Sequence, residues 1–452
     1  MSDHVIRRGL DIPIAGRAAG EIVQLEPPDT VGYAPTEFRG VIPKPAVREG
    51  DSVERGAPLF FHKAHPSMVF RSPAAGTVRE IRRGRRRVIT DVVVEVSGGD
   101  ATPLERYTLE DLRKLDRAGA IEVALASGWW PALSTRPLDK VPVPTRTPQS
   151  ILIGAMETGP LQPGPQALLA GDDADALQAA ITLFGRITPK VHLAVQAGAA
   201  HPALDRLEGI ERHTFSGPHP AGDPGVQVNL VDPPRGGQEV WTIRAWDAAA
   251  LGRTLLSGEF AAERVYAAVG KGVAEPRLVR TLLGAPLRHV VGGVTEGEHR
   301  WIRGSVLTGE AVSSERWAPF RSRAVHVLPS EVPRTLFGWA LPMFGTWSFH
   351  RAFLSGLVGA RPEGGIDMRP GLWGGERAII PIGVYDRVVA TPDILPEFLF
   401  KSIKAGDLEE SIQLGLLDIT GEEAALCTYI CPSKFEFDVL LREGLEHYEK
   451  ES

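Results

Sequence analysis

The sequence predicts an α/β protein of several domains, and three observations support this prediction. Short apolar runs separated by Gly, Asp and Pro fill residues 41–96, strand-like runs alternate with a helical pattern from residue 150, and helical periodicity returns from residue 395. A chain of 452 residues is also too long for one hydrophobic core. We predict five segments, with boundaries at residues 1–104, 105–149, 150–280, 281–335 and 336–452.

The first segment is predicted to be all-β. Gly50-Asp51 and Gly56 provide turn residues in one half, and Ser72-Pro73 with Gly76 repeats the arrangement in the other half. Two similar halves of this kind resemble the barrel-sandwich unit of biotinyl and lipoyl carrier domains. The resemblance implies a small barrel in which two half-motifs interlock.

Carrier domains present a modifiable lysine at a hairpin tip, and Lys63 occupies that position here, between His62 and His65. The Met residues that usually flank a biotinylated lysine are missing, so an ordinary turn lysine is favoured over a modified carrier or adaptor. The two histidines lack a third ligand for a metal ion and are interpreted as turn residues.

A basic cluster lies between two predicted strands of this unit. The cluster is either a solvated hairpin tip or a docking surface for an acidic partner or anionic lipid headgroups. The formal net charge of the whole chain is −6, which argues against a general nucleic-acid binder. The cluster consists of Arg82, Arg83, Arg85, Arg86 and Arg87.

Targeting signals and cysteine usage predict a soluble, cytoplasmic protein. The N-terminus lacks the apolar region of a signal peptide, and no window offers the roughly 18 apolar residues of a membrane span. The sequence holds two cysteines, Cys427 and Cys431, so a disulfide framework is excluded and a reducing compartment is expected.

Residues 105–149 are predicted to be helical up to residue 126 and then to form a loop. The loop carries Trp129, Trp130, Arg136 and Lys140. Aromatic rings beside cations can hold a planar ligand, and packing at a domain seam explains the tryptophans equally well. Both interpretations remain open from the residues alone.

The third segment predicts a parallel, Rossmann-like sheet. Residues 151–155, 191–195 and 226–231 are interpreted as strands and residues 174–184 as a helix. Neither Gly-x-Gly-x-x-Gly nor a Walker pattern follows a strand, so we predict a scaffold without a nucleotide site.

The fourth segment predicts a β-grasp module of the SLBB type. Its hairpins are expected at Gly292-Gly293 and at residues 296–299. Glu296, Glu298 and His299 could form a catalytic trio, but polar residues at a hairpin tip usually serve the turn itself. No hydrolase motif occurs in the chain.

The last segment is predicted to be mostly helical, with helices at residues 396–403, at 408–416 and from 422 onward. It contains Cys427 and Cys431, whereas an iron–sulfur cluster needs about four thiolates. Either a partner completes the site or the pair is a remnant that packs as small apolar residues. The ligand count favours the remnant.

Five motifs together resemble the NqrA subunits of sodium-translocating NADH:quinone reductases, and the similarity runs from end to end. These motifs are Gly9–Gly16, Ser127–Pro137, Gly304–Gly309, Gly374–Gly383 and Leu426–Pro432. The resemblance implies a peripheral subunit on the cytoplasmic face of a six-subunit membrane complex. That complex carries electrons from NADH to ubiquinone and exports sodium.

The same resemblance implies that this chain binds no cofactor, since FMN, FAD, riboflavin and iron–sulfur reside in the other subunits, and that ubiquinone is a possible ligand. We expect quinone contacts at Tyr33, Arg39, Trp129, Trp130, Arg136 and Lys140. Because no span is predicted, sodium is expected to cross the membrane elsewhere in the complex.

An alternative is a flavin- or NADH-binding electron-transfer subunit. The chain is more distantly similar to the RnfC component of the Rnf complex and to the FMN-binding component of respiratory complex I. Those relatives use a Gly-rich loop and a longer cysteine run, whereas the counterpart loop here, residues 135–140, has no glycine.

Overall fold

A computed structural model describes residues 2–330, 336–337, 347–351, 354, 364–368 and 376–451. Within these residues the α/β prediction is confirmed, since the strands form four sheets and helices pack against them. The predicted boundary between residues 335 and 336 falls partly outside the described residues. So do Gly374 and Gly375, which open one of the five motifs, and much of residues 337–351, where the sequence is rich in aromatic residues.

The N-terminal strands do not join the barrel, which differs from the predicted unit of residues 1–104. β1 (Ser2–Val5) pairs in parallel with residues 213–216, and β2 (Ile22–Gln24) pairs in parallel with residues 278–280. Each strand therefore extends the sheet of a later domain. The sequence of a short strand does not indicate which distant strand it pairs with. The apolar pattern of residues 1–40 therefore could not predict these two pairings.

The barrel unit contains two small antiparallel sheets. Its strands are β3 (Thr30–Tyr33), β4 (Pro43–Pro45), β5 (Ser52–Val53), β6 (Pro58–His62), β7 (His65–Arg71), β8 (Gly76–Arg83) and β9 (Ile89–Val96). They run in the orders β3-β9-β8-β5 and β4-β6-β7. Gly50 and Gly56 have φ of 89° and 88°, a region that favours glycine at these turns. The rings of Phe60 and Phe70 stack 4.2 Å apart in the core between the sheets.

Two helices and a short strand link the barrel to the α/β domain. They are α1 (Leu109–Lys114), α2 (Arg117–Ala126) and β10 (Ser134–Arg136). The helices confirm the prediction up to residue 126. α1 starts at Thr108 because its hydroxyl and the Asp111 carboxylate form a reciprocal capping box.

Within the described residues, the α/β domain has a six-stranded sheet and five helices. Besides β1 and β10, the strands of the sheet are β11 (Ser150–Ala155), β12 (Val191–Gln196), β13 (Glu211–Ser216) and β14 (Val240–Arg244). The helices are α3 (Pro165–Leu168), α4 (Asp173–Ile187), α5 (Pro202–Asp205), α6 (Pro224–Val231) and α7 (Ala245–Ser257). The order is β1-β13-β12-β11-β14-β10, with only β10 antiparallel to its neighbour. Gly252 lets α7 approach α4, because an added Cβ would lie 1.7 Å from the Ala176 carbonyl oxygen.

The predicted strand at residues 226–231 is wrong, because the segment is helix α6. Pro224 occupies the first turn, where its missing N–H costs nothing, and the Asp223 carboxylate accepts a hydrogen bond from the Gly225 N–H. These two start signals outweigh the β-branched residues that follow. The sheet is completed instead by β13 and β14, while the strands predicted at residues 151–155 and 191–195 are confirmed.

The fourth unit is a mixed sheet made of β15 (Glu263–Val269), β16 (Arg277–Leu282), β17 (His299–Arg303), β18 (Glu310–Val312) and β19 (Ala324–Pro329), with α8 (Leu287–Val291) beside it. Its order is β18-β17-β19-β15-β16-β2. The unit therefore includes residues from Glu263 onward, whereas the predicted boundary lay between residues 280 and 281. Gly292-Gly293 follows α8 instead of turning a hairpin, and the hairpin between β17 and β18 lies at residues 304–309.

The C-terminal unit is mostly helical from residue 396 onward, as predicted. It contains α9 (Pro396–Ala405), α10 (Leu408–Gln413), α11 (Gly421–Ile430) and α12 (Phe437–Glu451). The first turn of α11 is capped by Thr420 and Glu423 in a capping box. Across the described part of the chain, no helix combines the length and the apolar character that crossing a membrane requires.

Candidate functional site

The strand order of the α/β domain creates a switch point between β11 and β14. The two strands are neighbours in the sheet, although the chain passes through β12 and β13 between them. Open parallel sheets bind ligands in the crevice beyond the carboxyl ends of such strands. Glu157 follows β11 and Arg244 ends β14, and their charged groups lie 3.4 Å apart at this crevice. Arg244 also donates to the carbonyl oxygens of Met156 and Gly222.

A cleft of about 740 Å³ opens at the switch point. The barrel, the linking segment, the α/β domain, the fourth unit and the C-terminal unit all contribute to its walls. Among the described residues, arginines and carboxylates line it in equal number, so their formal charges balance. The arginines are Arg39, Arg136, Arg244, Arg303, Arg321, Arg323 and Arg442, and the carboxylates are Glu37, Asp139, Glu157, Asp223, Asp247, Glu310 and Glu422.

Glu422, in the first turn of α11, connects three units at the floor of the cleft. Its carboxylate accepts hydrogen bonds from Thr308 Oγ1 at 2.6 Å and Ser305 Oγ at 3.3 Å, and it lies 3.2 Å from His219 Nε2. Ser305 and Thr308 belong to the hairpin motif Gly304–Gly309. The other ring nitrogen of His219 lies 3.2 Å from Thr158 Oγ1.

The His219–Glu422 contact changes the pKa of both groups. Burial lowers the pKa of His219, but the hydrogen bond and negative charge of Glu422 outweigh burial, and the pKa is raised overall. Burial raises the pKa of Glu422. The hydrogen bond and charge of His219, together with the hydrogen bonds from Thr308 and Ser305, outweigh burial, and the pKa is lowered overall. The pair is therefore stabilised in its charged form.

The N-terminal motif Gly9–Gly16 holds the His219 loop in place. The Leu10 N–H donates to the His219 carbonyl oxygen at 2.7 Å, and Asp11 Oδ1 accepts from the His219 N–H at 2.9 Å. Gly9 has φ of 140°, and an added Cβ would lie 2.3 Å from the His219 carbonyl oxygen. Glycine is required at this close approach.

Arg303 is a cleft residue whose guanidinium has an incomplete set of hydrogen bonds. It ends β17 and is 6% exposed. Its Nε donates to Glu310 at 3.0 Å, whereas its Nη1 lies 3.9 Å from Glu37 and makes no hydrogen bond within the described structure. A buried guanidinium donor without a partner is costly, so it marks a position suited to an acceptor from a ligand.

Arg136 makes three hydrogen bonds within the protein. Its Nη2 donates to the carbonyl oxygens of Leu417, Asp418 and Ile419, at 3.2, 2.8 and 3.1 Å, just before α11. Its Nε is buried and has no hydrogen-bond partner in the parts of the chain described. Arg136 thus fastens the C-terminal unit to the cleft while it contributes to the cleft wall.

Of the other quinone candidates, Arg39 lines the cleft, with Nη1 3.9 Å from Asp139. Lys140 lies to one side and pairs with Glu449 of α12. Tyr33, Trp129 and Trp130 do not reach the cleft. Tyr33 is 4% exposed and packs among Phe38, Phe60 and Phe320.

Trp129 and Trp130 are both 0% exposed. Trp129 Nε1 donates to Thr254 Oγ1 at 3.0 Å, and the guanidinium of Arg264 lies 3.9 Å from a ring centroid of Trp129. Trp130 Nε1 donates to the Pro142 carbonyl oxygen at 2.8 Å. Their rings have no free face for a planar ligand. Both tryptophans pack where the barrel meets the α/β domain, which agrees with the domain-seam interpretation and not with a planar ligand.

Several cleft residues could not be identified from the sequence patterns used above. Glu157 and Arg244 lie at the ends of parallel strands, and that position was a signal that could have identified them. Arg321 and Arg323 lie in an irregular segment before β19, where no periodic pattern marks them. Arg323 pairs with Asp247 in the first turn of α7.

Cys427 and Cys431 lie in the helical core and are both 0% exposed. Cys427 belongs to α11, and the Cys431 N–H donates to the Cys427 carbonyl oxygen at the end of that helix. Burial raises the pKa of the Cys427 thiol well above its usual value. The two side chains pack with Leu426, Ile430 and their neighbours as small apolar groups.

The remaining candidate residues lie on surfaces. The five arginines of the basic cluster are exposed at the predicted hairpin between β8 and β9. Lys63 is exposed at the turn between β6 and β7, beside the buried His62, whose Nδ1 accepts a hydrogen bond from the Ile42 N–H. His299 Nε2 lies 2.9 Å from Thr295 Oγ1, and Glu296 and Glu298 are exposed on the surface.

A second polar cluster lies at the amino ends of β12 and β13, on another part of the α/β sheet. His192 Nδ1 is 3.1 Å from His213 Nε2 and 3.4 Å from Glu211 Oε2. Burial lowers the pKa of His192 and lowers that of His213 to about 4. Both rings are therefore neutral near pH 7.

The fold defines a class of protein, a multidomain α/β protein with an added barrel and an added β-grasp-type sheet. Family models agree with each part. The NqrA N-terminal barrel-sandwich hybrid domain matches residues 4–97, the NqrA second alpha/beta domain matches residues 115–260, and the NQRA C-terminal domain, of SLBB type, matches residues 265–314.

The chain belongs to the NqrA family, the A subunits of Na(+)-translocating NADH-quinone reductases. It is 38% identical to the family member from Klebsiella pneumoniae subsp. pneumoniae over 454 aligned positions, and 37% identical to the one from Pasteurella multocida over 449, with 99% of each chain covered in both cases. A solved NAD+-reducing [NiFe]-hydrogenase aligns with a TM-score of 0.35 at 15% identity, over 77% of this chain and 66% of that chain. A likeness at that level indicates nothing about function.

Proposed function

We propose that this chain is a peripheral subunit on the cytoplasmic face of a sodium-translocating NADH:quinone reductase. Its partners would be the five other subunits, including membrane-embedded ones, and the complex would pass electrons from NADH to ubiquinone and export sodium. Support comes from relatives that carry the NqrA name and align over 99% of both chains. A match of full length involves every unit of the fold, including those that build the cleft.

We further propose that the chain itself holds no flavin and no iron–sulfur cluster. Two cysteines supply half of the thiolates that a cluster needs, and both are buried in the helical core. No Gly-rich phosphate loop follows β11, the strand at the switch point. FMN, FAD, riboflavin and iron–sulfur would be carried by the partner subunits.

The cleft is the proposed site of quinone contact, and one observation favours it most. Arg303 presents a buried guanidinium donor, Nη1, without a hydrogen-bond partner in the described structure, and this residue lines the cleft. Quinone carbonyl oxygens are hydrogen-bond acceptors. An acceptor that enters here would satisfy Arg303 and remove the cost of the unpaired donor.

The other walls suit a flat, partly apolar headgroup. Ile243, Trp246 and Pro319 offer apolar surface beside the arginines. Negative charge develops on the quinone oxygens during reduction, and fixed cations such as Arg303 and Arg136 would stabilise it. This arrangement retains Arg39 and Arg136 from the sequence-based candidates and replaces the buried aromatic rings with Trp246.

Titration of the purified chain with a water-soluble ubiquinone tests the proposal. We expect saturable binding that Arg303→Gln weakens at least about tenfold, since hydrogen bonds to charged groups contribute about 1.5–3 kcal/mol. Arg288→Gln is the matched control, because Arg288 is an exposed arginine of the same unit that pairs with Glu315 at 3.0 Å. Equal affinity of Arg303→Gln and the unaltered chain would exclude this cleft as the site.

An absorption spectrum and an iron assay on the same sample test the cofactor proposal. A colourless, iron-free protein is expected. Stoichiometric flavin or iron would instead support the alternative, an electron-transfer subunit with its own cofactor.

A further inference from the structure

The second polar cluster is built by strand pairing in the α/β sheet. Glu211 and His213 are two residues apart on β13, so their side chains share one face, and His192 on β12 pairs directly with Glu211. Three donor atoms thus converge: the ligand atoms of His192, Glu211 and His213 all lie within 4.8 Å of one another. Within the described ranges this is the one group of three or more such residues that meets that distance.

We propose that this cluster binds one Zn²⁺ through His192 Nδ1, His213 Nε2 and the Glu211 carboxylate, with water in a fourth position. Two imidazoles and one carboxylate are a donor set that zinc accepts in three-ligand sites. The site lies apart from the cleft and is independent of the quinone proposal.

The spacing of the donors fits tetrahedral coordination. Zinc bonds to nitrogen and oxygen are about 2.0–2.2 Å long, so neighbouring ligand atoms of a tetrahedron lie about 3.3–3.5 Å apart. His192 Nδ1 lies 3.1 Å from His213 Nε2 and 3.4 Å from Glu211 Oε2. The third pair of donors, on Glu211 and His213, lies within 4.8 Å, and rotation of the exposed Glu211 side chain would complete the geometry.

Neighbouring groups orient both rings for this role. Ser2 Oγ lies 2.6 Å from His213 Nδ1, which leaves Nε2 directed into the cluster. On the other side, His192 Nε2 faces Asp232 Oδ2 at 3.9 Å, and both atoms are buried without a hydrogen-bond partner in the described structure.

Metal binding at His192 Nδ1 would explain these two unsatisfied atoms. It would fix the ring proton on Nε2, which would then donate to the Asp232 carboxylate. Carboxylates that orient metal-bound histidines in this way are a regular feature of zinc sites. Ser2 and Asp232 are therefore positioning residues, whereas His192, Glu211 and His213 are the proposed ligands.

The open side of the cluster gives zinc a route of entry. His192 is 4% exposed, whereas Glu211 is an exposed residue at the start of β13. The metal would join β12 to β13, and through Ser2 it would also hold β1 at the edge of the sheet. We therefore expect zinc to raise the thermal unfolding temperature of the chain.

Titration of the full-length, chelator-treated chain with Zn²⁺ in a calorimeter tests the proposal. We expect one tight site per chain. Substitution of a residue that only orients a ligand costs about 10–100-fold in affinity, so Asp232→Asn should fall within that range and Glu211→Gln should weaken binding at least about a hundredfold. Glu208→Gln is the control, because Glu208 is an exposed glutamate in the loop before β13, and it should leave binding unchanged.

Because Glu211 is exposed, we expect the Glu211→Gln variant to fold. Circular dichroism before titration verifies the fold of the variant. X-ray absorption of the zinc-loaded protein should show two imidazole ligands, and His213→Gln should remove one of them. Binding well below one ion per chain, or equal affinity in Glu211→Gln and the control, would overturn the proposal and leave a direct hydrogen bond between two histidines.

Discussion

The loop at residues 127–140 has two halves with different surroundings. Trp129 and Trp130 are fully buried between the barrel and the α/β domain, and their indole N–H groups are satisfied by protein acceptors. Arg136 and Lys140 follow only a few residues later. Arg136 lines the cleft and holds the segment before α11, while Lys140 forms a partly exposed ion pair with Glu449.

The difference shows that residues adjacent in sequence can serve separate purposes. β10 crosses from the buried seam to the rim of the cleft within three residues, 134–136, and it pairs with β14 at the switch point. Trp129 and Trp130, the Trp half of the loop, therefore pack in the core, whereas Arg136, in the Arg half, lines the cleft. Substitution of Trp129 should therefore lower stability alone, whereas substitution of Arg136 should lower both stability and ligand binding.

The largest effect is expected from Trp129→Ala. Removal of a fully buried indole costs about 3–5 kcal/mol of stability through lost contacts and the cavity left behind. Urea denaturation monitored by circular dichroism should show this loss, with Trp129→Phe intermediate. The folded variant should keep its ubiquinone affinity within a factor of about two. Nearly unchanged stability with a large loss of affinity would restore a ligand role for the ring.

Arg136→Gln should have the next largest effect. The substitution removes charge-assisted bonds to three carbonyl oxygens, so we expect about 1.5–3 kcal/mol of destabilisation and faster hydrogen exchange at residues 417–421. Ubiquinone binding should weaken as well. Arg146→Gln, at an arginine whose side chain is 60% exposed, is the control. If hydrogen exchange near α11 stays unchanged, Arg136 does not fasten that segment.

Much of the fold could be predicted from the sequence because its signals are local. Turn glycines such as Gly50 and apolar periodicity indicate the barrel and the terminal helices. The helix α6 was missed because Val226, Val228 and Val231 suggest a strand, while the start signals at Asp223 and Pro224 decide the outcome. The pairing of β1 and β2 with distant strands depends on contacts that no local pattern encodes.

The cleft was harder to predict than the fold. Its walls join Arg39, Arg136, Arg303 and Glu422, which four different units supply, and only folding brings them together. Arg39 and Arg136 were identified as cations near aromatic residues, although the aromatic residues themselves turned out to be core. The zinc cluster depends likewise on the register of β12 against β13, which the sequence does not specify.

A smaller, pH-dependent effect is expected from the pair that links the units at the cleft floor. The raised pKa of His219 contributes stability that is fully present below its ordinary value of about 6.5 and is lost as pH rises through the folded-state pKa. The lowered pKa of Glu422 contributes stability above its ordinary value of about 4.3, which is lost as pH falls through the folded-state pKa. Glu157 and Asp223 also raise the pKa of His219, with weaker effect.

The stability difference between the unaltered chain and Glu422→Gln should therefore be largest between about pH 4.5 and 6.5 and should shrink on either side. Denaturation midpoints measured from about pH 4 to about pH 9 check this. Glu409→Gln, at an exposed glutamate in the first turn of α10, should give a difference that varies little with pH. A difference between Glu422→Gln and the unaltered chain that is constant across the range would show that the pair is not charged.

The smallest effect is expected from Lys140→Gln, which tests whether Lys140 differs from Arg136 in its contribution to ligand binding. The Lys140–Glu449 pair is partly open to solvent, with side chains 21% and 43% exposed, and such pairs contribute about 0–1 kcal/mol. A double-mutant cycle with Glu449→Gln should give a coupling energy in that range, reduced by added salt. Ubiquinone affinity should stay unchanged, because Lys140 is not among the described residues that line the cleft. A tenfold loss of affinity in Lys140→Gln would extend the binding site to this side of the loop and assign both cations to quinone contact.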